Sequence, residues 1–312
     1  METPPTISLD AILPKDMAVK AESVGVTKAR MDFFPMFALA VLAGAFVAMG
    51  ALFATTVSAG TLAVKTADGA MAFTVGLPYG FTRLLAGLVF SLGLILVIIG
   101  GAELFTGNTL IVMGWVSHKV STKDLLRNWI IVYLGNFAGA ILTAYAMFLS
   151  RQYTFGSGAV GAAVLATGVT KTSLGFVSAV ALGVFCNALV CLSVWLCFSA
   201  RSNTDKILSI ILPISAFVAA GFEHCVANMY FIPLALLVKY SDPGFYAARV
   251  AADPKALWDN LTWGNFFARN LLPVTIGNII GGSVLVGLVY WSIYLGPGRK
   301  QPGDAPDQSE KA

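Results

Sequence analysis

Two stretches decide how this chain folds: Gly101-Ala102-Glu103-Leu104-Phe105-Thr106-Gly107-Asn108 and Gly221-Phe222-Glu223-His224-Cys225-Val226-Ala227-Asn228. Each is a polar, glycine-marked interruption inside a long apolar run, at 81–114 and 207–238 respectively. As one helix the first run would be roughly 50 Å long, too long for one straight crossing of about 30 Å of hydrocarbon. Broken helices survive in a bilayer only where the irregular backbone is buried in protein or lines a cavity. Paired discontinuous helices are what a transport site is built from.

The two interruptions share the pattern Gly-x-Glu-x4-Asn at an offset of 120 residues. A second pair follows: Arg127-Asn128 leads to Gly135-Asn136-x-x-Gly139, and Arg269-Asn270 leads to Gly277-Asn278-x-x-Gly281, now offset by 142. The polar segment 239–268 reads as an insertion in the second half. Further apolar runs at 33–56, 128–149, 174–199 and 270–295 each have the length of one span. Three spans per repeat is an odd number, so the halves lie in the membrane with opposite topology. The expected fold is all-α: six transmembrane helices in two inverted three-helix repeats, the second and fifth broken. Such repeats place the permeation path at their interface near the midplane. The Gly-x-x-x-Gly spacings at Gly135 and Gly139, and at Gly277 and Gly281, suit close helix packing. An eight-span arrangement keeps the same parity.

Composition agrees with a bilayer protein. Of 312 residues, 57% are hydrophobic and 12% charged, with a mean hydropathy of +0.78. A soluble domain carries about 25% charged residues. The net charge of +4 is spread without a basic block, which gives nucleic acid no footprint. Cys186, Cys191, Cys197 and Cys225 all lie in apolar runs without metal-ligand spacing and read as small hydrophobes. No phosphate loop or nucleophile motif points to an enzyme, and neither a metal nor a cofactor is implied.

Residues 1–32 carry Asp10, Asp16 and Glu22 and lack the sustained apolar core of a cleaved signal. Met17, Ala21 and Val24 fall at helical spacing, so an amphipathic helix on the membrane surface is expected there. The transport domain then spans 33–295, and 296–312 has the composition of a disordered tail. With six spans, 12 basic residues fall on the side of the termini against eight opposite. That bias places both termini in the cytoplasm.

Few residues carry chemistry. His118 sits beside Ser117 and Lys119 in a loop and reads as solvated. His224 lies at membrane depth, where an ionisable group is costly and points to function. Carboxylates at Glu103 and Glu223 would repel an anion, so they are expected to accept hydrogen bonds from backbone N–H groups freed by the breaks. Asn187, in mid-span, either donates to a permeating carboxylate or bridges helices; Thr106 has the same two readings. Phe90, Leu94, Phe105, Val190 and Phe217 are, by themselves, ordinary packing residues.

At these motifs the sequence resembles the formate/nitrite transporter family. The matching stretches include Phe90-Ser-Leu-Gly-Leu-Ile-Leu96, Glu103-Leu-Phe-Thr106, Cys186-Asn187, Gly221-Phe-Glu-His224, Ala227-Asn228-Met229 and Pro273-Val-Thr-Ile-Gly-Asn-Ile-Ile-Gly-Gly282. The resemblance implies an aquaporin-like protomer, a homopentamer with one pore per protomer, and multi-pass residence in the inner membrane. It implies pore and proton-relay roles for Thr106, Asn187 and His224. It implies constrictions at Leu94 and Phe105 on one side and at Phe90, Val190 and Phe217 on the other. Lys171 and Lys28 become the anion-attracting residues of the two mouths, and Glu103, Asn108, Glu223 and Asn228 structural groups at the breaks. The implied substrate is formate, passing as the neutral acid or with a proton; nitrite and hydrosulfide transport are the alternatives within the family. A water or ammonia channel is a more distant rival, since no Asn-Pro-Ala repeat is present.

Overall fold

The computed structural model describes residues 10–66 and 71–297. Helix α1 (Pro14–Ala29) precedes the first span, α2 (Phe33–Val57). An antiparallel hairpin of β1 (Leu62–Lys65) and β2 (Met71–Val75), with Leu62 opposite Val75, joins it to α3 (Tyr79–Gly100). After the first break come α4 (Phe105–Asn108), a 3-10 turn at Thr109–Ile111 and α5 (Val112–Val116). The third span, α6 (Thr122–Leu149), completes the first half.

The second half repeats this order. It comprises α7 (Ala159–Thr172), α8 (Phe176–Ser199), α9 (Asn203–Ala220), the second break, α10 (Cys225–Ser241) and α11 (Pro243–Ala252). In the last span, Trp263–Tyr294, α12 (Trp263–Asn265), α13 (Leu272–Ile279) and α14 (Val289–Tyr294) are joined by π-helical turns. Among the described residues six helices are long and apolar enough to cross a membrane, at the six places the apolar runs predict.

Both breaks are made the same way. Gly101 (φ 75°) ends α3 and Gly221 (φ 77°) ends α9, each in the left-handed conformation that costs a glycine nothing. The following N–H groups turn back: Ala102 N donates to Val97 O and Phe222 N to Phe217 O. The chain then runs extended for a few residues before the next helix starts.

Glycines set the spacing of the spans. A Cβ on Gly139 would collide with the carbonyl of Val41, and one on Gly281 with that of Val184. A Cβ on Gly135 would press on the Ala40 side chain and the Phe37 carbonyl, and one on Gly277 would collide with the Val180 carbonyl. The α2–α6 contact is therefore reproduced by α8 against the last span, and Val41 and Val184 are 143 residues apart.

That offset exposes two elements that the apolar runs pass over. Helix α7, at 14 residues, is too short to register as a span, yet it occupies in the second half the place α1 holds in the first. The hairpin between α2 and α3 has no counterpart between α8 and α9, and it shortens the offset from 143 to 120. The segment 239–268, which holds α11, then restores it to 142. Of the N-terminal segment, residues 1–9 lie outside the described residues, as do 298–312 of the expected tail.

Candidate functional site

At each break a buried asparagine from the following span holds the backbone. Asn136 Oδ1 accepts from Phe105 N at 2.9 Å, while its Nδ2 donates to Ala40 O and Glu103 O at 2.8 and 2.9 Å. Asn278 does the same at the second break, accepting from Cys225 N at 2.9 Å and donating to Gly183 O and Glu223 O at 2.8 and 2.9 Å. One side chain thus satisfies the orphan N–H at a half-helix start and two carbonyls that the break would strand, which is what apolar surroundings demand.

The glutamates do something other than expected. Glu103 pairs with Lys28 of α1 at 2.7 Å and accepts from Asn108 Nδ2 at 2.7 Å. Glu223 pairs with Lys171 of α7 at 2.8 Å and accepts from Asn228 Nδ2 at 2.7 Å. Asn108 and Asn228 are tied on to Asn128 and Asn270, which donate to Lys28 O and Lys171 O at 3.0 Å each. The reading of Glu103 and Glu223 as acceptors for freed N–H groups is therefore corrected. The breaks are capped by asparagine amides, and the carboxylates serve as counter-ions for two lysines that would otherwise sit unpaired beside apolar walls. Lys28 and Lys171 are ion-paired, and each pair contributes no net charge to its mouth.

Two cavities open at opposite ends of the spans. One, of about 310 Å³, lies at the α1 end and is lined by Lys28, Leu94, Leu104, Asn108 and Lys206 among others. The other, of about 130 Å³, lies at the α7 end and is lined by Arg83, Phe90, Lys171, Phe217, His224 and Asn228. The two share no lining residue, and aromatic side chains stand at the inner end of the second. Phe90 and Phe217 meet edge to face at 5.5 Å, and Phe217 stacks on the His224 ring at 6.0 Å. Val190 is buried and lines neither cavity. Phe105 is not beside Leu94 in the vestibule: its ring packs on Tyr133 at 5.0 Å and Trp129 at 6.1 Å, and Leu104 takes the cavity-facing place. Of these two neighbours Leu104 rather than Phe105 faces the cavity, because the extended backbone of the break turns successive side chains to opposite sides.

Beneath the second cavity, Thr106 Oγ1 and His224 Nε2 are 3.0 Å apart across the two breaks. His224 is also the N-cap of α10, its Nδ1 accepting from Ala227 N at 3.1 Å. A backbone N–H can only donate, so Nδ1 carries no proton and the neutral ring bears its hydrogen on Nε2, facing the threonine. Asn187 spends its amide on Thr106 O, Thr109 Oγ1 and Asn278 O, at 3.2, 3.2 and 2.6 Å. It bridges helices, and its Nδ2 has no donor to spare for a solute. Cys191 Sγ lies 3.3 Å from the same Thr106 carbonyl. His118 is exposed, as its loop position predicts.

The family profile of the formate/nitrite transporters matches residues 15–292. This chain belongs to the formate/nitrite transporter family. It is 43% identical to the formate channel FocA of Escherichia coli strain K12, over 92% of this chain and 95% of that one. It is 35% identical to a probable formate transporter of Methanothermobacter thermautotrophicus, over 90% of this chain and 97% of that one. Among solved structures it resembles a pentameric formate channel with formate bound, at TM-score 0.74 and 44% identity over 84% of this chain and 98% of that one. An ion channel of the same family matches with TM-score 0.72 at 27% identity, over 89% and 98% of the two chains.

This formate/nitrite transporter family member is a multi-pass membrane protein whose scaffold is repeated and whose chemistry is not. At the offset of 120, His224 corresponds to Leu104 and Val226 to Thr106; at 143, Asn187 corresponds to Gly44 and Cys191 to Ala48. The Thr106–His224 contact is therefore built from groups the other half lacks. Sequence reasoning missed Leu104, Cys191 and Arg83 as site residues. Leu104 stands opposite His224 in the two matched stretches, but that spacing does not fix which way it faces.

Proposed function

We propose that the protein is a formate channel or transporter, moving formate and related small monovalent anions in step with a proton. The observation that carries this reading is the Thr106–His224 pair, a single ionisable contact in an apolar closure between two vestibules. The names of its relatives, formate channels and a probable formate transporter, supply the substrate.

A bare carboxylate cannot cross Phe90, Phe217 and Leu104 as an ion. The idealised cost of moving such an ion into a low-dielectric medium is about 20 kcal/mol, and several remain after relaxation. The neutral acid escapes that cost, but it is scarce at neutral pH. His224 is placed to supply the proton. A proton arriving at the ring can bind only at Nδ1, which puts a second N–H against that of Ala227 and drives the ring off its cap. The imidazolium draws a carboxylate to the second cavity and transfers its proton to it. The products are the neutral acid and a neutral ring, so charge and protons balance, and the ring returns to Ala227 and Thr106. The acid then passes to the cavity at Leu94 and Leu104 and ionises in water. Because Lys28 and Lys171 are ion-paired with Glu103 and Glu223, their part in this scheme is to hold the breaks.

The same reading places both termini in the cytoplasm of a cell whose inner membrane holds the protein, on the basic-residue bias. It assembles the chain as a homopentamer, like the pentameric channel it resembles. It is a transporter rather than an enzyme, as the relatives it matches are named channels and transporters.

Uptake of labelled formate into proteoliposomes tests the proposal, with nitrite and hydrosulfide as competitors, with and without an inward proton gradient. Gradient-driven formate uptake is the expected result. Saturable nitrite or hydrosulfide entry with little formate entry would overturn the substrate.

A further inference from the structure

The repeat allows the two mouths to be compared position by position. Along α1 and α7 the offset of 143 pairs Lys28 with Lys171, Val24 with Thr167 and Lys20 with Ala163, and all six line their cavities. Along α3 and α9 the offset of 120 pairs Lys206 with Ala86, again both lining. At two matched positions, then, the α1-side mouth has a lysine where the α7-side mouth has an alanine. In the other direction there is one exchange: Arg83 lines the α7-side cavity, and its counterpart is Asn203.

The surplus cations are also differently employed. Lys28 with Glu103, and Lys171 with Glu223, cancel in their own mouths. Arg83 is half-buried and is turned onto the carbonyls of Val218 and Ala219 at the C-terminal end of α9, where the helix dipole is negative. Lys20 is exposed and gives one of its three donors to Phe198 O at 3.0 Å. Among the described residues neither Lys20 nor Lys206 has a carboxylate within ion-pair distance. The acid nearest Lys206 in sequence, Asp205, is held in its own capping box with Ser202. Burial and the charges of Lys206 and Arg201 hold the Lys20 ammonium below its ordinary pKa, as expected of a cation among cations.

We infer that Lys20 and Lys206 form an anion-capture site at the α1-side mouth, so that small monovalent carboxylates enter from that side more readily than from the other. The inference rests on the proposed transport of such anions and adds a direction to it. Charges of one sign at the rim of a low-dielectric funnel raise the local concentration and the capture rate of the opposite ion, and salt removes the effect. Closure chemistry is untouched, because neither lysine contacts Thr106 or His224 among the described residues.

The test is the initial rate of labelled formate uptake into inside-out and right-side-out membrane vesicles, at low and high ionic strength. For the wild type the half-saturating formate concentration is expected to be lower on the α1 face, the gap closing at high salt. K20A/K206A should raise the half-saturating concentration on the α1 face roughly three- to tenfold at low salt and abolish its salt dependence. A163K should confer that salt dependence on the α7 face. Lys123→Ala, an exposed lysine that does not line the cavity, serves as the control for general surface charge. If K20A/K206A leaves the half-saturating concentration and its salt dependence on the α1 face unchanged, or if K123A mimics it, the capture site is wrong. Wild-type protein that moves no formate from either face would instead overturn the transport reading on which it rests.

Discussion

Tyr133 and Thr275 occupy equivalent positions of the two repeats, and their hydroxyls meet at 2.9 Å. A contact between a residue and its own repeat equivalent must lie on the axis that relates the halves. The phenol ring of Tyr133 in turn carries Phe105, the first residue of the half-helix α4, so the axis runs beside the break that bears Thr106. The place where the two halves are forced to agree is thus next to the place where their side chains differ, Thr106 and His224 against Val226 and Leu104.

The asparagine caps should be the costliest polar side chains to remove. Asn136→Ala strands the Phe105 N–H and two carbonyls inside the protein, and Asn278→Ala does the same at Cys225. A loss on the order of 3 kcal/mol is expected for each, given about 1–3 kcal/mol per unsatisfied buried group and partial repair by relaxation. Thermal unfolding in detergent measures it. An unchanged midpoint in either variant would mean that the breaks are held by something else.

The glycine contacts predict a sharp contrast. Gly139→Val and Gly281→Val drive side chains into the carbonyls of Val41 and Val184 and should abolish the folded protein. Gly175→Ala, where an added Cβ meets nothing within 4 Å and the backbone is ordinary, should be tolerated. Size-exclusion profiles of the three variants decide it.

Outside the spans, Asp242 gives a pH-dependent element of stability. The Tyr153 hydroxyl donates to it at 2.8 Å and Phe245 N at 3.1 Å, and with Arg151 beyond them they hold its carboxyl below the ordinary carboxylate range. A folded pKa below the unfolded one means that the stabilisation is full at neutral pH. It is lost as pH falls from about 4 through the depressed value. Tyr153→Phe, which keeps the stack on Phe148 at 5.7 Å, should cost about 1 kcal/mol at pH 7 and flatten the acid limb of the unfolding midpoint. An acid limb as steep as the wild type's would contradict the assignment.

How much of this was legible follows from what the sequence repeats. The breaks, the six spans and their inversion are written in Gly-x-Glu-x4-Asn and in the Gly-Asn pairs, since these residues are needed twice for the same backbone problem. Helix α7 was not legible, because 14 residues cannot span and because the hairpin shifts its offset from α1 away from that of the breaks. The partners of Glu103 and Glu223 were missed for a related reason. Lys28 lies 75 residues from Glu103 and Lys171 lies 52 from Glu223, so no local spacing joins them. The cavity-facing role of Leu104 turned on which way an extended residue points, which apolar character alone does not fix.

Coupling of the solute to a proton by His224 is probed most sharply by His224→Asn. Asparagine is a good N-cap, so its side-chain oxygen still accepts from Ala227 N and the half-helix stays in place, while nothing at the site takes up a proton near neutral pH. The measurement is the ratio of formate uptake with an inward proton gradient to uptake without one, in proteoliposomes of wild type and variant matched for folded protein. A ratio well above one is expected for the wild type and one near unity for H224N. A variant that kept the wild-type ratio would contradict it.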